Sequence, residues 1–231
     1  MSVNANGDTV CIAKNSSVAA HFSRASIRGQ TGHDWFNAPV RIASAAYSGD
    51  AWWLALPRAG LVQKAEGIPQ SIAISGQPTL LSSRYIFTLE GDVLRYDGSK
   101  VGRIPQVPSQ VLELPKSTII LVGRAIYRIG DTLQKLRELE NTNVSLLPSS
   151  DTFEVVAGIA VRQGNLTFAL ERNQIAIRSN NQPLTRISLA ANGSALAVGA
   201  DTLAVSQNGS VAFYDTRSFA PLVTRSCEVT R

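Results

Sequence analysis

The chain offers few residues whose types and spacing could carry out a reaction. His33 and Asp34 are adjacent, and such a pair can transfer protons, but no nucleophile motif accompanies them. There is no Gly-x-Ser-x-Gly, no phosphate-binding glycine loop, no His-Glu-x-x-His and no cysteine pair at metal-ligand spacing. The sequence therefore predicts a protein that is not an enzyme, with no catalytic residues and no cofactor.

One group of residues around positions 30–37 is instead suited to binding a partner. This glycine-rich segment carries two large aromatic side chains and has three arginines nearby. Aromatic anchors bury much area at low entropy cost, and mixed basic and aromatic patches bind acidic peptides or single-stranded nucleic acid. The candidate partner-binding residues are Arg24, Arg28, His33, Trp35, Phe36 and Arg41. The alternatives are aromatics that fold back over the nearest sheet and arginines that are only solvated.

These residues must be positioned by strands, since a short β pattern recurs six times along the chain. The β runs begin near Asp8, Ser44, Thr79, Thr118, Phe153 and Ser194, at steps of 35 to 41 residues. A period of about 40 residues with several short strands is typical of a β-propeller with one blade per period. The sequence therefore predicts an all-β fold, a six-bladed β-propeller of four-stranded antiparallel blades, in a single domain over residues 1–231.

The assignment of strands to blades follows from the clearest copy, the last one. There Asn208-Gly209 lies between two β runs and predicts a type I′ hairpin turn. By the same layout, Thr118 and Phe153 begin the innermost strands of the fourth and fifth blades, and residues 110–114 form the outermost strand of the third. The first blade is the poorest copy, with a third strand near Ser26 and a fourth at 40–43. Residues 133–140 are a strand or, alternatively, a short helical turn.

Two strand ends carry an aromatic-aspartate pair that resembles the repeat of WD40-type propellers. Tyr96-Asp97 and Phe213-Tyr214-Asp215 end predicted third strands, where that family often carries this pair. In that family the aspartate supports a tight turn through hydrogen bonds that involve a histidine. The Gly-His dipeptide of the family is absent from every blade here. The resemblance implies a WD40-like propeller fold and a general function in protein binding.

The predicted propeller axis offers no metal site. A divalent ion would need acids and amides that converge from several innermost strands. The predicted innermost strands supply mainly Glu154, with Asp8 at an edge. Neither a metal nor a small-molecule substrate is therefore expected.

The two cysteines lie near opposite ends of the chain, at Cys11 and Cys227. A closed propeller brings the ends of its chain together. The two residues are therefore either reduced, half-buried thiols, which the sequence favours, or a disulfide that closes the ring. The disulfide would require an oxidising compartment.

The bulk properties leave the partner open. A net charge of +5 permits contact with nucleic acid or an acidic protein surface, but the 22 Lys and Arg are spread along the chain. No signal peptide and no run of 18 apolar residues is visible, so no membrane insertion is expected and a cytoplasmic location is predicted. A secreted mature form would look the same.

The sequence thus predicts a non-catalytic protein–protein interaction module. It would be a scaffold subunit of a larger assembly that binds through its rim loops, with residues 30–37 and the nearby arginines as the candidate surface. The alternatives are a nucleic-acid-binding propeller with a basic face and a secreted or envelope propeller that binds glycans.

Overall fold

Short strands joined by tight turns build the molecule. The computed structural model describes residues 1–30, 32–68 and 70–228. In these residues the chain forms six four-stranded antiparallel blades in a ring, a six-bladed β-propeller, together with one two-stranded sheet. The predicted fold class is confirmed. Among the described residues, no helix is long and apolar enough to cross a membrane.

The first three blades each use four consecutive strands. The first blade contains β1 (Ser2–Val3), β2 (Thr9–Ile12), β3 (Val18–Phe22) and β4 (Asp34–Asn37). The second contains β5 (Ser44–Ser48), β6 (Ala51–Leu56), β7 (Leu61–Lys64) and β8 (Ser71–Ala73). The third contains β9 (Pro78–Leu81), β10 (Tyr85–Thr88), β11 (Asp92–Arg95) and β12 (Lys100–Arg103). Two helical turns interrupt this part of the chain, α1 (Arg24–Ile27) and a 3-10 turn (Pro57–Ala59).

The second half of the chain contains three further blades and the two-stranded sheet. The fourth blade contains β13 (Gln110–Glu113), β14 (Thr118–Val122), β15 (Ala125–Ile129) and β16 (Leu133–Glu138). The two-stranded sheet pairs β17 (Val144–Ser149) with β18 (Thr152–Ala157). The fifth blade contains β19 (Ile159–Gln163), β20 (Leu166–Glu171), β21 (Gln174–Ser179) and β22 (Gln182–Ser188). The sixth contains β23 (Ala195–Gly199), β24 (Thr202–Gln207), β25 (Ser210–Asp215) and β26 (Pro221–Ser226).

The first strand of every sheet lies innermost and faces the axis. Contacts between neighbouring sheets join β1 to β5, β5 to β9, β13 to β17, β17 to β19, β19 to β23 and β23 back to β1. The two-stranded sheet therefore occupies its own position in the ring, between the fourth and the fifth blade. Strand β17 lines the axis there, and β18 is the strand outside it.

Several predicted strand positions are wrong by one strand. Thr118 begins the second strand of the fourth blade. Residues 110–113, predicted to end the third blade, form the innermost strand of the fourth. The cause is burial: Ile119 and Ile120 are fully buried because a second strand has a strand on each side and a sheet over each face. The most apolar run of a blade is consequently its second strand.

The first and fifth blades also differ from the prediction. The two-residue β1 is too short for a sequence pattern, so β2 was predicted to be innermost. The expected third strand near Ser26 is the helical turn α1, the fourth strand is β4, and residues 40–43 are not in a strand. Phe153 begins β18, not the innermost strand of the fifth blade, which is β19. Residues 133–138 form a strand, which excludes the helical alternative.

The core is divided into apolar clusters that lie between successive sheets. Clusters join the first blade to the second, the second to the third, the third to the fourth, the fourth to the two-stranded sheet, the fifth to the sixth and the sixth to the first. Each cluster forms because alternate side chains of a strand point to opposite faces of its sheet. Within the described residues, no such cluster joins the two-stranded sheet to the fifth blade.

The predicted turn chemistry is visible at two positions. Asn208 and Gly209 both have positive φ, at 41° and 79°, as a type I′ turn requires. Asp215 caps the next turn, because its Oδ1 accepts hydrogen bonds from the backbone N–H groups of Arg217 and Ser218. Asp97 accepts one such bond, from the Ser99 N–H. Asp97 and Asp215, which carry the resemblance to WD40 propellers, thus support turns by accepting hydrogen bonds from backbone amides.

Candidate functional site

Two of the predicted binding arginines lie between the first and last blades. Arg24 donates from Nη2 to Asp201 Oδ2 at 2.5 Å. Arg28 Nη2 lies 2.8 Å from the same oxygen and 3.0 Å from Asp215 Oδ2. Both aspartates belong to the sixth blade, and both arginines lie in or beside α1 of the first. We call this junction the closure seam.

The charges of the closure seam stabilise one another. Burial opposes ionisation of Asp201, but hydrogen bonds from Arg24 and Arg28 outweigh it and lower the pKa of its carboxyl. The Ser218 N–H is the main cause that lowers the pKa of Asp215, and Arg28 adds to it. The two carboxylates in turn raise the pKa of the Arg28 guanidinium. These arginines therefore join the first blade to the sixth through ion pairs.

The closure seam also contains a disulfide. Cys11 of β2 is bonded to Cys227, with 5.5 Å between the Cα atoms and 216 residues of sequence separation. This is the second of the two alternatives left open by the sequence, and both residues are buried. Around the bond, Phe22 of the first blade packs edge-on against Phe213 of the last, at 5.7 Å between ring centroids. Covalent, ionic and apolar contacts thus coincide where the two ends of the chain meet.

The aromatic residues of the predicted binding loop lie on a strand. Residues 34–37 form β4, which pairs with β3, and Thr31 of the predicted loop lies outside the described residues. Phe36 is 5% exposed and stacks on His21 at 4.8 Å between ring centroids. Trp35 is half-buried and packs against the closure seam. The predicted loop is a strand at 34–37, and the alternative in which the aromatics fold back over the first blade is the one observed, because the outer strand of that blade needs these side chains to cover its core.

Two predicted binding residues remain on the surface. His33 is exposed and lies against Trp35, with 5.0 Å between ring centroids. Arg41 is exposed and follows β4. The structure thus separates the six predicted residues into two in the closure seam, two that pack on the first blade and two that are open to solvent.

The innermost strands line cavities near the axis. On one side, a cavity of about 470 Å³ is lined by β13, β17, β19 and β23. Gln110 bridges two of these strands, since its amide donates to Val144 O and to Ser145 Oγ and accepts from the Leu146 N–H. The polar groups at this wall are therefore engaged in holding neighbouring sheets together.

The carboxylates are not arranged as expected at the axis. Glu154, predicted on an innermost strand, lies on β18 and is paired with Arg162 Nη2 at 2.9 Å. This ion pair lowers the pKa of Glu154. Among the described residues, no group of three or more His, Cys, Asp or Glu side chains could hold a metal ion.

The two-stranded sheet leaves an opening in the ring that the sequence analysis missed. The neighbouring blades have third and fourth strands, but nothing in the described residues pairs with the outer side of β18. No residue of β18 is buried, whereas every residue of β14, the second strand of the neighbouring fourth blade, is buried. Two further strands of this sheet would lie between the outer strands of the fourth and fifth blades.

The walls of this opening are basic. On the fourth blade, Arg137 lies over the ring of Phe153 at 5.8 Å, and Arg128 follows Ile126 on the same face of β15. On the fifth blade, Arg178 and Arg186 flank Glu171, with nitrogen–oxygen distances of 3.9 and 3.7 Å. We call the opening the notch: β18 is its base, and Arg128, Arg137, Arg178 and Arg186 are its walls.

The notch also contains apolar surface and room for a ligand. A cavity of about 470 Å³ lies on its fifth-blade side, lined in part by Arg178, Leu184 and Arg186. Leu184 is 53% exposed. The side chains of Arg178 and Arg186 are 49% and 65% exposed, so they are not consumed by their weak pairing with Glu171.

One feature of the sequence does mark the two-stranded sheet. Only 15 residues separate the starts of β17 and β19, whereas the other innermost strands start at least 32 residues apart. The single residue between β18 and β19 is Gly158, with a φ of 78°. A hairpin that runs directly into the next blade is therefore visible in the spacing once innermost strands are correctly identified.

Known structures share the fold at low sequence identity. The chain is similar to BamB from Moraxella catarrhalis, with 16% identity over 87% of this chain and 80% of that one and a TM-score of 0.50. It is similar to Sqt1 from Saccharomyces cerevisiae, with 12% identity over 95% and 81% and a TM-score of 0.57. A chain of a nidogen/laminin complex gives 12% identity over 91% and 90% and a TM-score of 0.55.

These similarities establish the fold alone. No family model matches the chain, and no curated protein matches it. The function is therefore argued from the surface of this molecule.

Proposed function

We propose that this protein is a non-catalytic protein-binding propeller, a subunit of a larger assembly that binds its partner at the notch. The observation that carries the proposal is the incomplete sheet: β18, none of whose residues is fully buried, lies between two complete blades whose facing walls carry four arginines. The surface differs from the predicted rim loop at residues 30–37, whose aromatics pack on the first blade.

Surface chemistry favours a protein as the occupant. Interfaces are enriched in arginine and contain an apolar centre with a polar rim. The notch combines exposed arginines with the exposed Leu184 and the half-buried Phe153 and Val155 of β18. A cavity of about 470 Å³ lies on its fifth-blade side, so a partner side chain that enters it would lose solvent contact there.

The test is a charge reversal at the notch. Wild-type protein and the double variant Arg178→Glu/Arg186→Glu are each used to capture and crosslink proteins from the native source. We expect at least one crosslinked partner of the wild type to be reduced tenfold or more by this variant. The matched control, Arg41→Glu/Arg58→Glu, carries the same charge change on exposed residues of another region and should retain that partner.

The control also tests the surface predicted from the sequence. Arg41 is the one arginine of that group outside the closure seam. Loss of the partner with the Arg41→Glu/Arg58→Glu variant, and retention with the notch variant, would reject the notch and favour the region around residues 30–41. Equal recovery of all partners by the three proteins would reject both surfaces.

We also propose that the protein works in an oxidising compartment, in place of the predicted cytoplasm. The support is the disulfide between Cys11 and Cys227, since such bonds persist in secreted or periplasmic proteins and are rare in the cytosol.

A further inference from the structure

We propose that the notch accepts an extended acidic segment of a partner protein, which adds to the free edge of β18 as a third strand. This inference rests on the proposed function and specifies its mode: main-chain hydrogen bonds supply the pairing, and the arginine walls select acidic side chains.

The register of the two-stranded sheet shows which backbone groups are free. Gly158 donates its N–H to the Asn143 carbonyl, so these opposed residues form a hydrogen-bonded pair. In an antiparallel sheet such pairs alternate with pairs that do not exchange hydrogen bonds. Along the register Val144↔Ala157 to Ser149↔Thr152, the second kind includes Val155 and Phe153. Pro148, which has no N–H, lies opposite Phe153, as this assignment requires.

The N–H and C=O groups of Phe153, Val155 and Ala157 consequently point away from β17. Among the described residues, no backbone or side-chain hydrogen bond outside the sheet reaches these groups. The free edge thus presents three donors and three acceptors at the two-residue spacing that an added antiparallel or parallel strand requires.

This edge has few of the features that normally prevent strand addition. Exposed edges in proteins are usually protected by proline, lysine, a bulge or a covering element. The sequence of β18 contains neither proline nor lysine, its register with β17 is regular, and its one charge, Glu154, is paired with Arg162. Phe153, Val155 and Val156 also favour strand structure.

Charge complementarity identifies the occupant as acidic. Side chains of an added strand would point alternately toward the fourth and the fifth blade. Arg128 and Arg137 stand on the first side, and Arg178 and Arg186 on the second, where the carboxylates are Glu171 and Glu154, the latter paired with Arg162. Acidic side chains at alternate positions of such a strand all point to the same blade. Whichever blade they face, they meet two arginines.

A strand-forming peptide is favoured over a nucleic acid by the base of the notch. Free N–H and C=O groups at strand spacing are matched by a polypeptide backbone. The only aromatic side chain of β18, Phe153, is covered by Arg137, so a base would find no open ring on that strand to stack upon.

The test uses synthetic peptides and the full chain. The probe is a decapeptide of alternating Thr and Glu, acetylated and amidated; the comparison peptide alternates Thr and Lys. Calorimetric titration at low salt should show binding of the acidic peptide and at least tenfold weaker binding of the basic one. No binding of the acidic peptide at millimolar concentration, or equal binding of the two, would overturn the proposal. Binding of a dT10 oligonucleotide in preference to both would also overturn it.

Two variants separate strand addition from simple charge attraction. Val155→Pro removes one outward N–H without removing a bond to β17, and proline is tolerated at such a position. Val155→Ala is the matched control, since it loses the same packing but keeps the N–H. We expect Val155→Pro to weaken binding of the acidic peptide at least tenfold and Val155→Ala to weaken that binding less than threefold. Equal effects of the two variants would overturn strand addition.

A measurement on the wild type keeps the test independent of variant folding. Amide hydrogen exchange at saturating acidic peptide should slow at Phe153, Val155 and Ala157 and remain unchanged at Thr152, Glu154 and Val156. Uniform or absent protection would contradict pairing at this edge. In that case loss of captured partners on Arg178→Glu/Arg186→Glu substitution would still support the notch as a protein-binding surface. The two proposals can therefore fail separately.

Discussion

Single residues in the closure seam have roles that their sequence neighbours do not reveal. Asp97 and Asp215 follow the same kind of β run, but Asp97 accepts a single backbone N–H, whereas Asp215 accepts two and also pairs with Arg28. Asp201 forms ion pairs with Arg24 and Arg28, which lie 177 and 173 positions earlier in the chain. A sequence pattern of local spacing cannot predict contacts of this separation.

Asp201→Asn should lower the free energy of unfolding by about 2 kcal/mol, because it weakens charge-assisted hydrogen bonds to two arginines in a poorly exposed site. The measurement is urea unfolding followed by fluorescence. Asp131→Asn, at an exposed position, is the control and should change stability by less than about 0.5 kcal/mol. Equal effects of the two substitutions would contradict the role given to Asp201.

The same carboxylates should make the closure seam sensitive to acid. Their folded pKa values are lowered, so they contribute stability above their unfolded pKa of about 3.9 and lose it as the pH falls toward the folded values. We expect the midpoint of thermal unfolding to fall between pH 5 and pH 3, and to fall less in Asp201→Asn. A parallel decline in the two proteins would show that other carboxylates dominate.

At the scale of the element, β4 shows how burial overrides a local pattern. Glycines and polar residues around Trp35 and Phe36 indicate a loop, yet residues 34–37 pair with β3. The pairing places Phe36 on His21 and into the cluster that joins the first two blades. The requirement for a covered sheet face, which no single segment encodes, decides the structure of this region.

Phe36→Ala should therefore affect stability, not partner recognition. A buried phenylalanine replaced by alanine leaves a cavity and costs about 3 kcal/mol. His33 is exposed and lies two residues before Trp35, so His33→Ala should lower the free energy of unfolding by less than about 1 kcal/mol. The readout is the free energy of urea unfolding. Undiminished stability of Phe36→Ala, with loss of a captured partner, would restore Phe36 as a binding residue.

The sequence predicts the repeat of β runs correctly, but it does not predict at which strand each blade begins. Alternating β runs and turn residues such as Asn208-Gly209 predict strands, hairpins and a propeller correctly. The position of a strand within its blade depends on what covers it, so Thr118 was placed one strand too far inward. The same error concealed the two-stranded sheet, because Phe153 of β18 was assigned to the innermost strand of the fifth blade and its pairing with β17 was not predicted.

At the scale of the whole molecule, the ring closes without a shared blade. The first four strands form one blade and the last four form another, so the junction depends on side chains and on the bond between Cys11 and Cys227. A bond that encloses almost the entire chain restricts the unfolded state strongly.

The protein purified under non-reducing conditions should contain no free thiol, and two after reduction in denaturant. Cys11→Ala, Cys227→Ala and the double variant should each lose about 2–4 kcal/mol of unfolding free energy, since either single change removes the whole bond. Two free thiols before reduction would contradict the disulfide and return the prediction to a cytoplasmic protein with buried thiols.

One sheet of the ring stops at its second strand, and we propose that its open edge accepts a partner. Residue-resolved amide hydrogen exchange of the unliganded protein tests it most directly, with β14 as the internal reference because that strand is paired on both sides. We expect fast exchange at Phe153, Val155 and Ala157 and strong protection throughout Thr118–Val122. Equal protection of the two strands would mean that the edge of β18 is already covered and would rule out strand addition there.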